Sequence, residues 1–293
     1  MEQQSPIFNF YETIRSNPIR YRQFAFDELL ITEYSCPLES RIQAIWSQYN
    51  YFVYVLEGKK VWHTHDGAFE MTKDKCLFVR KGASIVEQFF DADFCVMLFF
   101  VPDEFICETL RSSAPAAAAL SDDYSPVMPI ETDSILAAFF HSMLPYFARM
   151  EPPDKTLLEL KFRELLLNIA SNRKNRDVQA YFRSLLHEPA STSLRQIMEA
   201  NFYYNLSLET YAQLCNRSLS AFKRDFQKTY QTTPGKWLLA KRLAYARGLL
   251  QNPSKTVSEV AYESGFENLS HFSRVFRAHF GAPPATARLQ KAG

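Results

Sequence analysis

Long apolar runs are missing from this chain of 293 residues. The longest, Cys95–Val101, is far shorter than the roughly 20 residues that a helix needs to cross a bilayer, so neither a membrane helix nor a membrane partner is expected. The first residues, MEQQSPIFNFYETIR, contain neither a basic start nor an apolar block of signal-peptide length. Secretion is therefore not indicated, and the expected location is the cytoplasm.

Cysteine is scarce as well. The five cysteines are odd in number and lack CxxC spacing, which argues against disulfides or a zinc site and fits reduced cytoplasmic thiols. Hydrophobic and aromatic residues are abundant instead, at 47% and 15%, which is enough to form packed cores and argues against general disorder. Because domains hold roughly 100 to 200 residues, the length favours two of them.

Charge is divided unevenly along the chain. Residues 192–293 contain 14 Lys and Arg against 6 Asp and Glu, a balance of +8, whereas residues 1–191 contain 19 against 26, a balance of −7. A basic segment beside an acidic one is typical of a polyanion-binding module attached to a domain with another task. We therefore predict a first domain of residues 1–186 and a basic second domain of residues 187–293.

A repeat at an interval of fifty residues runs through the basic segment. Leu219, Ser220, Phe222, Arg224, Phe226 and Pro234 recur as Leu269, Ser270, Phe272, Arg274, Phe276 and Pro284. Further upstream the interval is 49, which pairs Leu208 with Val257 and Ala212 with Ala261. Two structurally similar units are therefore expected.

Each copy has the pattern of a short helix, a tight turn and a longer helix. The short helices are predicted over 208–214 and 257–263, and Gly265 suits a left-handed helix stop. Ser218 and Asn268 can cap the helices that follow. This order is that of a helix-turn-helix, whose second helix fits the DNA major groove. We predict the two units over about 207–231 and 257–280.

The first long helix has two distinct faces. Leu219, Phe222, Phe226 and Tyr230 form a continuous apolar stripe at helical spacing, which predicts burial rather than stacking on bases. Polar and basic residues form a second stripe toward solvent, and it is either a contact surface or a merely solvated face. Between the copies, residues 235–251 predict one helix about 25 Å long. Successive major grooves on one side of B-DNA are about 34 Å apart, so a rod of this order can present both units to neighbouring turns.

The repeat resembles the AraC/XylS family of bacterial transcription regulators from about residue 194 to residue 288. The matching positions are Ala212, Ser218, Phe226, Pro234, Arg242, Ala246 and Leu249-Leu250 in the first half, then Gly265-Phe266, Phe272, Arg274, Phe276, Gly281, Pro284 and Arg288. Ala287 replaces the usual tyrosine. Gln231 stands where glycine is common, which predicts a less sharp helix exit.

The resemblance implies a sequence-specific regulator that binds double-stranded promoter DNA and acts with RNA polymerase, as an activator rather than a repressor. Bases would be read by Ser220, Lys223, Arg224, Ser270, His271 and Arg274. The DNA backbone would be contacted by Ser218, Gln227, Lys228, Asn268 and Arg277. Arginine can contact guanine in a bidentate manner, whereas phosphate contacts hold register without reading sequence.

The first half has the texture of many short strands between turn signals, from about residue 20 to residue 105. In the family this half is a cupin-like β-barrel that senses an effector, so the expected fold is α+β: this barrel with flanking helices, then an all-α domain of two helix-turn-helix units joined by a long helix. A small molecule or a protein partner could be the effector. A pocket inside the barrel would be lined by some of Tyr51, Val53, Val55, Trp62, Phe78 and Phe99, unless these side chains simply fill the barrel.

Two further features of the first half have competing interpretations. His63 and His65, with Glu70 downstream, resemble part of a cupin metal motif, but its second half is missing, so no metal and no cofactor is predicted. A metal-dependent cupin enzyme with an accessory basic domain remains the alternative to a non-enzymatic regulator. Apolar helical segments at about 133–149 and 154–171 predict a homodimer, with burial on the barrel as the competing explanation.

Overall fold

Strands make up most of the first half of the chain and helices the second. The computed structural model describes residues 7–35, 41–64, 67–89, 94–112, 124–149, 152–187 and 190–289. The chain divides into two compact units, Met1–Pro189 and Ala190–Gly293. The predicted α+β class, with strands first and an all-helical second part, is confirmed. Within the described ranges, none of the helices combines the length and the hydropathy needed to cross a membrane.

The strands of the first unit form two sheets. In chain order they are β1 (Phe8–Asn9), β2 (Arg22–Phe26), β3 (Leu29–Ser35), β4 (Ile42–Ser47), β5 (Asn50–Glu57), β6 (Lys59–Thr64), β7 (Gly67–Thr72), β8 (Cys76–Val79), β9 (Gly82–Gln88), β10 (Cys95–Val101) and β11 (Val127–Ile130). One sheet has the order β1-β4-β9-β6-β7 and the other β11-β8-β5-β10-β3-β2. In the described part of the chain the predicted barrel is thus a pair of cupin-like sheets, not one closed hydrogen-bonded cylinder.

A buried core lies between the two sheets. Strand β5 alternates strictly, so Tyr51, Val53 and Val55 point inward and meet Trp62 and Val86 of the facing sheet. Inward and outward positions alternate because the side-chain period of a strand is two residues. Helix α1 (Phe10–Arg15) closes this core with Phe10, whose ring packs 5.6 Å from that of Phe100.

The opposite face of the six-stranded sheet is covered by helices. They are α2 (Asp103–Leu110), α3 (Ser134–Ala148), α4 (Lys155–Ser171) and α5 (Arg176–His187). Phe78 and Phe99 lie on this outer face, where Phe162 of α4 packs 5.4 Å from the ring of Phe99. Val127–Ile130 forms β11, which pairs with β8, and its Val127 and Ile130 side chains are buried.

A polar network inside the first unit ties β5 to two of these helices. The Asn50 carboxamide donates to Asp103 at 2.6 Å and accepts from the Tyr181 hydroxyl at 3.1 Å. The Lys81 ammonium lies 2.5 Å from the Asp103 carboxylate, with only 7% of the lysine side chain exposed. Buried charges are costly unless paired and hydrogen-bonded, and here the pairing is complete enough to hold strand, α2 and α5 together.

The second unit is entirely helical. Its elements are α6 (Ala190–Asn201), α7 (Leu208–Leu214), α8 (Leu219–Tyr230), α9 (Pro234–Leu249), α10 (Val257–Glu263), α11 (Leu269–Phe280) and α12 (Pro284–Leu289). Helix α7, a turn and α8 form the first helix-turn-helix; α10, a turn and α11 form the second; and α9 joins them. Helix α6, which was not predicted, packs on α7 and α8, and its Leu194, Ile197 and Met198 are buried. Their spacing of three and four residues was the available signal.

Candidate DNA-binding surface

The longer helix of the first helix-turn-helix is α8, which is anchored by its apolar stripe. Phe222 and Phe226 are fully buried, and the ring of Tyr230 stacks on Phe226 at 4.5 Å between centroids. Trp237 of α9 closes this cluster, 5.2 Å from Tyr230. Because the stripe is used for packing, these aromatic rings are not available to stack on bases, as predicted.

Helix α8 begins and ends with defined caps. The Ser218 hydroxyl oxygen accepts from the Ala221 amide at 3.3 Å, which satisfies one of the free N–H groups of the first turn. At the other end Gln231 adopts the left-handed conformation, with φ of 54°. The prediction of a less sharp exit at Gln231 was wrong, because this residue takes the backbone conformation that glycine usually supplies.

The second helix-turn-helix, formed by α10 and α11, has caps of the same kind made by different residues. Thr256 and Glu259 form a reciprocal capping box at the start of α10, and Gly265 follows its end with φ of +82°. The carboxamide oxygen of Asn268 caps α11 by accepting from the amides of Ser270 and His271, at 2.8 and 3.1 Å. Two independently capped helices therefore present comparable faces.

The exposed faces of α8 and α11 hold the residues that were predicted to touch DNA. All six predicted base-reading side chains are exposed, as are the five predicted for the backbone. The Arg224 side chain is 77% exposed. The residues that share these two faces or cap them are Ser218, Ser220, Lys223, Arg224, Gln227, Lys228, Asn268, Ser270, His271, Arg274 and Arg277.

A groove of about 880 Å³ lies between the two helix-turn-helix units. The groove is lined by Asn205 of the loop between α6 and α7, by Leu239 of α9, and by His271 and Arg274 of α11. His271 and Arg274, two of the residues predicted to read bases, thus lie at a groove that also has apolar walls such as Leu239.

The six apolar residues considered for an effector pocket lie on two different faces of the sheet. Tyr51, Val53, Val55 and Trp62 lie in the core between the sheets. Phe78 and Phe99 point to the other face of the same sheet, under the helices. Phe78 and Phe99 therefore cannot line the same space as the other four side chains, because they occupy the alternate positions of their strands.

Within the core between the sheets, the polar end of Tyr51 lies beside Ser84 and the Trp62 indole. Complete burial raises the pKa of Tyr51 to about 12, with the neighbouring Ser84 and Trp62 acting in the opposite direction. The phenol is therefore neutral at physiological pH. Among the described residues, neither the Tyr51 hydroxyl nor the Trp62 indole N–H has a partner at hydrogen-bond geometry.

The histidine motif is arranged differently from a metal site. His63 Nε2 lies 2.9 Å from a carboxylate oxygen of Glu87, and this hydrogen bond holds the pKa of Glu87 below its usual range. Glu70 pairs instead with Lys59, at 2.8 Å. His65 lies outside the described residues. Among the residues that the structure covers, no group of three or more His, Cys, Asp or Glu side chains is placed to hold a metal ion.

In comparisons with known proteins, the two halves of the chain match different family models. A family model described as the ExsA N-terminal regulatory domain matches residues 50–181, and a helix-turn-helix domain model matches residues 211–290. The virulence regulon transcriptional activator VirF of Yersinia enterocolitica is 25% identical over 268 residues, covering 90% of this chain and 97% of VirF. The thermoregulatory protein LcrF of Yersinia pestis is 26% identical over 241 residues, covering 81% and 88%.

A solved structure from Chromobacterium violaceum, described as a transcriptional regulator with an AraC-type DNA-binding domain, is 36% identical. It covers 36% of this chain and 93% of that one, with a TM-score of 0.33. Because one family model matches the first half of the chain and the other matches the second half, the chain is a DNA-binding transcription regulator with an N-terminal regulatory domain and a C-terminal helix-turn-helix domain. It belongs to the AraC/XylS family of bacterial regulators.

Proposed function

We propose that α8 and α11 enter successive major grooves of one promoter duplex. The observation that carries the proposal is the pair of matching, capped helices, each with an apolar face buried and a polar, basic face exposed. Ser220, Lys223 and Arg224 would read bases from the first helix, and Ser270, His271 and Arg274 from the second. Each bidentate arginine–guanine contact contributes about 1 to 3 kcal/mol of discrimination.

Backbone contacts are assigned to residues at the edges of these faces. Gln227, Lys228 and Arg277 lie further along the two helices than the reading residues and suit phosphate contacts. Ser218 and Asn268 stand at the helix N-termini, where backbone amides also favour a phosphate. Their cap oxygens are engaged, so the Ser218 O–H and the Asn268 Nδ2 donors are the groups assigned to DNA.

The regulatory outcome that we propose is activation. VirF is named a transcriptional activator, and this chain matches almost its full length. RNA polymerase is accordingly the second macromolecular partner. Because a bacterial promoter lies in the cytoplasm, we place the protein there, and we assign it no catalytic activity and no cofactor.

The first unit is proposed to sense an effector, either a small molecule or a protein. For a small molecule, the candidate site is the layer between the sheets around Tyr51, Val53, Val55 and Trp62, because it combines apolar walls with the Tyr51 hydroxyl. Phe78 and Phe99 are excluded from it by their position on the other face. A protein effector would instead leave this layer closed.

A homodimer is proposed through helix α4. Leu157, Leu160 and Leu167 share one face of this helix and are 38%, 56% and 40% exposed. The opposite face buries Phe162 and Leu166 in the first unit's core. The competing explanation, complete burial of the helix on the barrel, does not account for these leucines, which suit a symmetric contact with a second copy.

The test of DNA recognition is selection from randomised duplexes by the purified full-length protein, followed by titration of the selected sequence. Arg224→Ala and Arg274→Ala are each expected to relax base preference at one half-site while the far-UV circular dichroism stays unchanged. Arg247→Ala is the matched control, because this exposed arginine lies on α9, where it packs over the ring of Phe280. Retention of the parent selectivity by both reading-helix variants would reject the contact assignment.

A further inference from the structure

The side chain of Arg242, in the middle of α9, fastens this helix to the loop that leads into the first helix-turn-helix. Its Nε donates to the carbonyl oxygen of Phe202 at 2.6 Å, and its Nη2 donates to that of Tyr204 at 2.7 Å. Hydrogen bonds from a charged donor are about twice as strong as those between neutral groups. Burial lowers the pKa of Arg242, but guanidinium remains protonated in proteins.

The same loop also touches the second helix-turn-helix. A Cβ atom placed on Gly265 would lie 2.7 Å from the carbonyl oxygen of Tyr203 and 3.0 Å from Arg242 Nε. The turn between α10 and α11 therefore rests directly on loop backbone and guanidinium. Glu267 directly precedes Asn268, the cap of the second reading helix. Its carboxylate accepts a hydrogen bond from the Asn205 side chain.

Packing makes this junction stiff. On α9, the ring of Tyr245 packs against Phe202 and Tyr203, at 5.6 and 5.9 Å between centroids. Phe266, next to Gly265, is buried in the core that Leu243 of α9 shares with α11. Loop, spacer helix and second turn thus converge on one guanidinium group, where a change of angle between the two units would break several contacts together.

We infer that Arg242 is a positioning residue that fixes the angle between the two helix-turn-helix units and thereby sets the half-site spacing that the protein accepts. The inference rests on the proposed DNA binding. One base pair added between half-sites moves the second site by about 3.4 Å along the helix axis and rotates it by about a tenth of a turn. A stiff pair of reading helices tolerates no such shift, whereas a hinged pair accepts several spacings.

The experiment measures the affinity of the full-length protein for a series of duplexes. They carry the selected half-sites at the preferred spacing and with one base pair added or removed. The parent is expected to lose about tenfold in affinity at each altered spacing, comparable to one lost base contact. Arg242→Gln should reduce this discrimination to less than about threefold, while base preference within each half-site is retained.

Two further variants keep the test decisive if Arg242→Gln unfolds. Arg242→Lys retains the charge but cannot donate to both carbonyl oxygens in the planar geometry of a guanidinium group. Gly265→Ala pushes the second turn away from Tyr203. Both should also broaden or shift the preferred spacing. Lys236→Gln removes the same charge from an exposed position of the same helix, and we expect it to keep the parent preference.

The outcomes separate this inference from the proposed function. If the parent shows no base selectivity, DNA recognition itself is rejected and the inference fails with it. If the parent is selective and folded variants at both Arg242 and Gly265 keep its discrimination among spacings, the positioning role alone is overturned. A selective parent without any spacing preference has the same consequence.

Discussion

The Nε atom of Arg224 lies 3.5 Å from the carboxylate of Asp225, the next residue on the first reading helix. The second oxygen of that carboxylate is 3.4 Å from Nε of Arg217, in the preceding turn. One acidic side chain therefore holds two cations at the edge of the proposed reading face. In the second copy Val275 occupies the position of Asp225, so the two reading arginines have different electrostatic surroundings.

Asp225→Asn is expected to strengthen DNA binding by about threefold to tenfold at low salt, because it releases Arg224 and removes a charge that repels phosphate. The gain should shrink as salt is added. Fluorescence anisotropy with a labelled duplex measures both effects. Glu199→Gln on α6 removes an equal charge and serves as the control. A variant that binds no better than this control, with an unchanged melting temperature, would show that the ion pair does not compete with DNA.

Exchanging the two helix-exit residues should have opposite effects on stability. Gln231 and Gly281 occupy equivalent left-handed positions, with φ of 54° and +79°. Gln231→Gly is expected to raise the free energy of unfolding of the second unit by about 0.5 to 1 kcal/mol, and Gly281→Gln to lower it by a similar amount. No heavy atom lies within 4 Å of a Cβ on Gly281, so the effect there isolates backbone strain.

Urea unfolding of the full-length protein measures both changes when the helical signal is followed by far-UV circular dichroism. Gln213→Gly, at an exposed position in the last turn of α7, is the control and should be destabilising, by up to about 1 kcal/mol. Equal effects from Gln231→Gly and Gln213→Gly would contradict the role of the left-handed cap.

Phosphate and base contacts should separate in their salt dependence. Lys228→Ala and Arg277→Ala are expected to weaken binding to selected and random duplexes alike and to reduce the salt slope by about one each. Arg224→Ala should lower the ratio between selected and random DNA. Titrations at several salt concentrations measure slope and ratio together. A selective loss for Lys228→Ala or Arg277→Ala would move that residue to the base-reading group.

Leu160→Glu should convert the proposed dimer into monomers, because the charge would be buried at the centre of the α4 contact. Sedimentation equilibrium over a range of concentrations measures the change. Ile19→Glu is the matched control, since Ile19 is a fully exposed apolar residue outside helix α4. A parent that is monomeric at all concentrations, or a dimer that survives Leu160→Glu, would contradict the proposed interface.

The helical unit was predictable because its signals are local. Helical spacing of Phe222 and Phe226, caps at Ser218 and Asn268, and a repeat at fifty residues all point to the same arrangement. The first unit was predictable only as strands. Which face of each strand meets which layer depends on its parity, and Phe78 and Phe99 were placed on the wrong side for that reason.

The junction at Arg242 had no comparable signal. Its partners are the backbone carbonyls of Phe202 and Tyr204, and every residue has a carbonyl group. Resemblance drew attention to the arginine without indicating its partner. Gln231 was misjudged for a related reason, because a non-glycine residue tolerated a left-handed conformation that its type disfavours.

Helix α5 closes the first unit late in the order of synthesis. Its Tyr181 hydroxyl bonds to Asn50, 131 residues earlier, and its ring lies 4.7 Å below the guanidinium of Arg80. As the ribosome releases the chain, the sheet must therefore wait for this helix before its polar interior is satisfied. A gene fragment meant to yield the regulatory unit alone therefore has to include Tyr181, since a stop codon before this residue removes its contacts with Asn50 and Arg80.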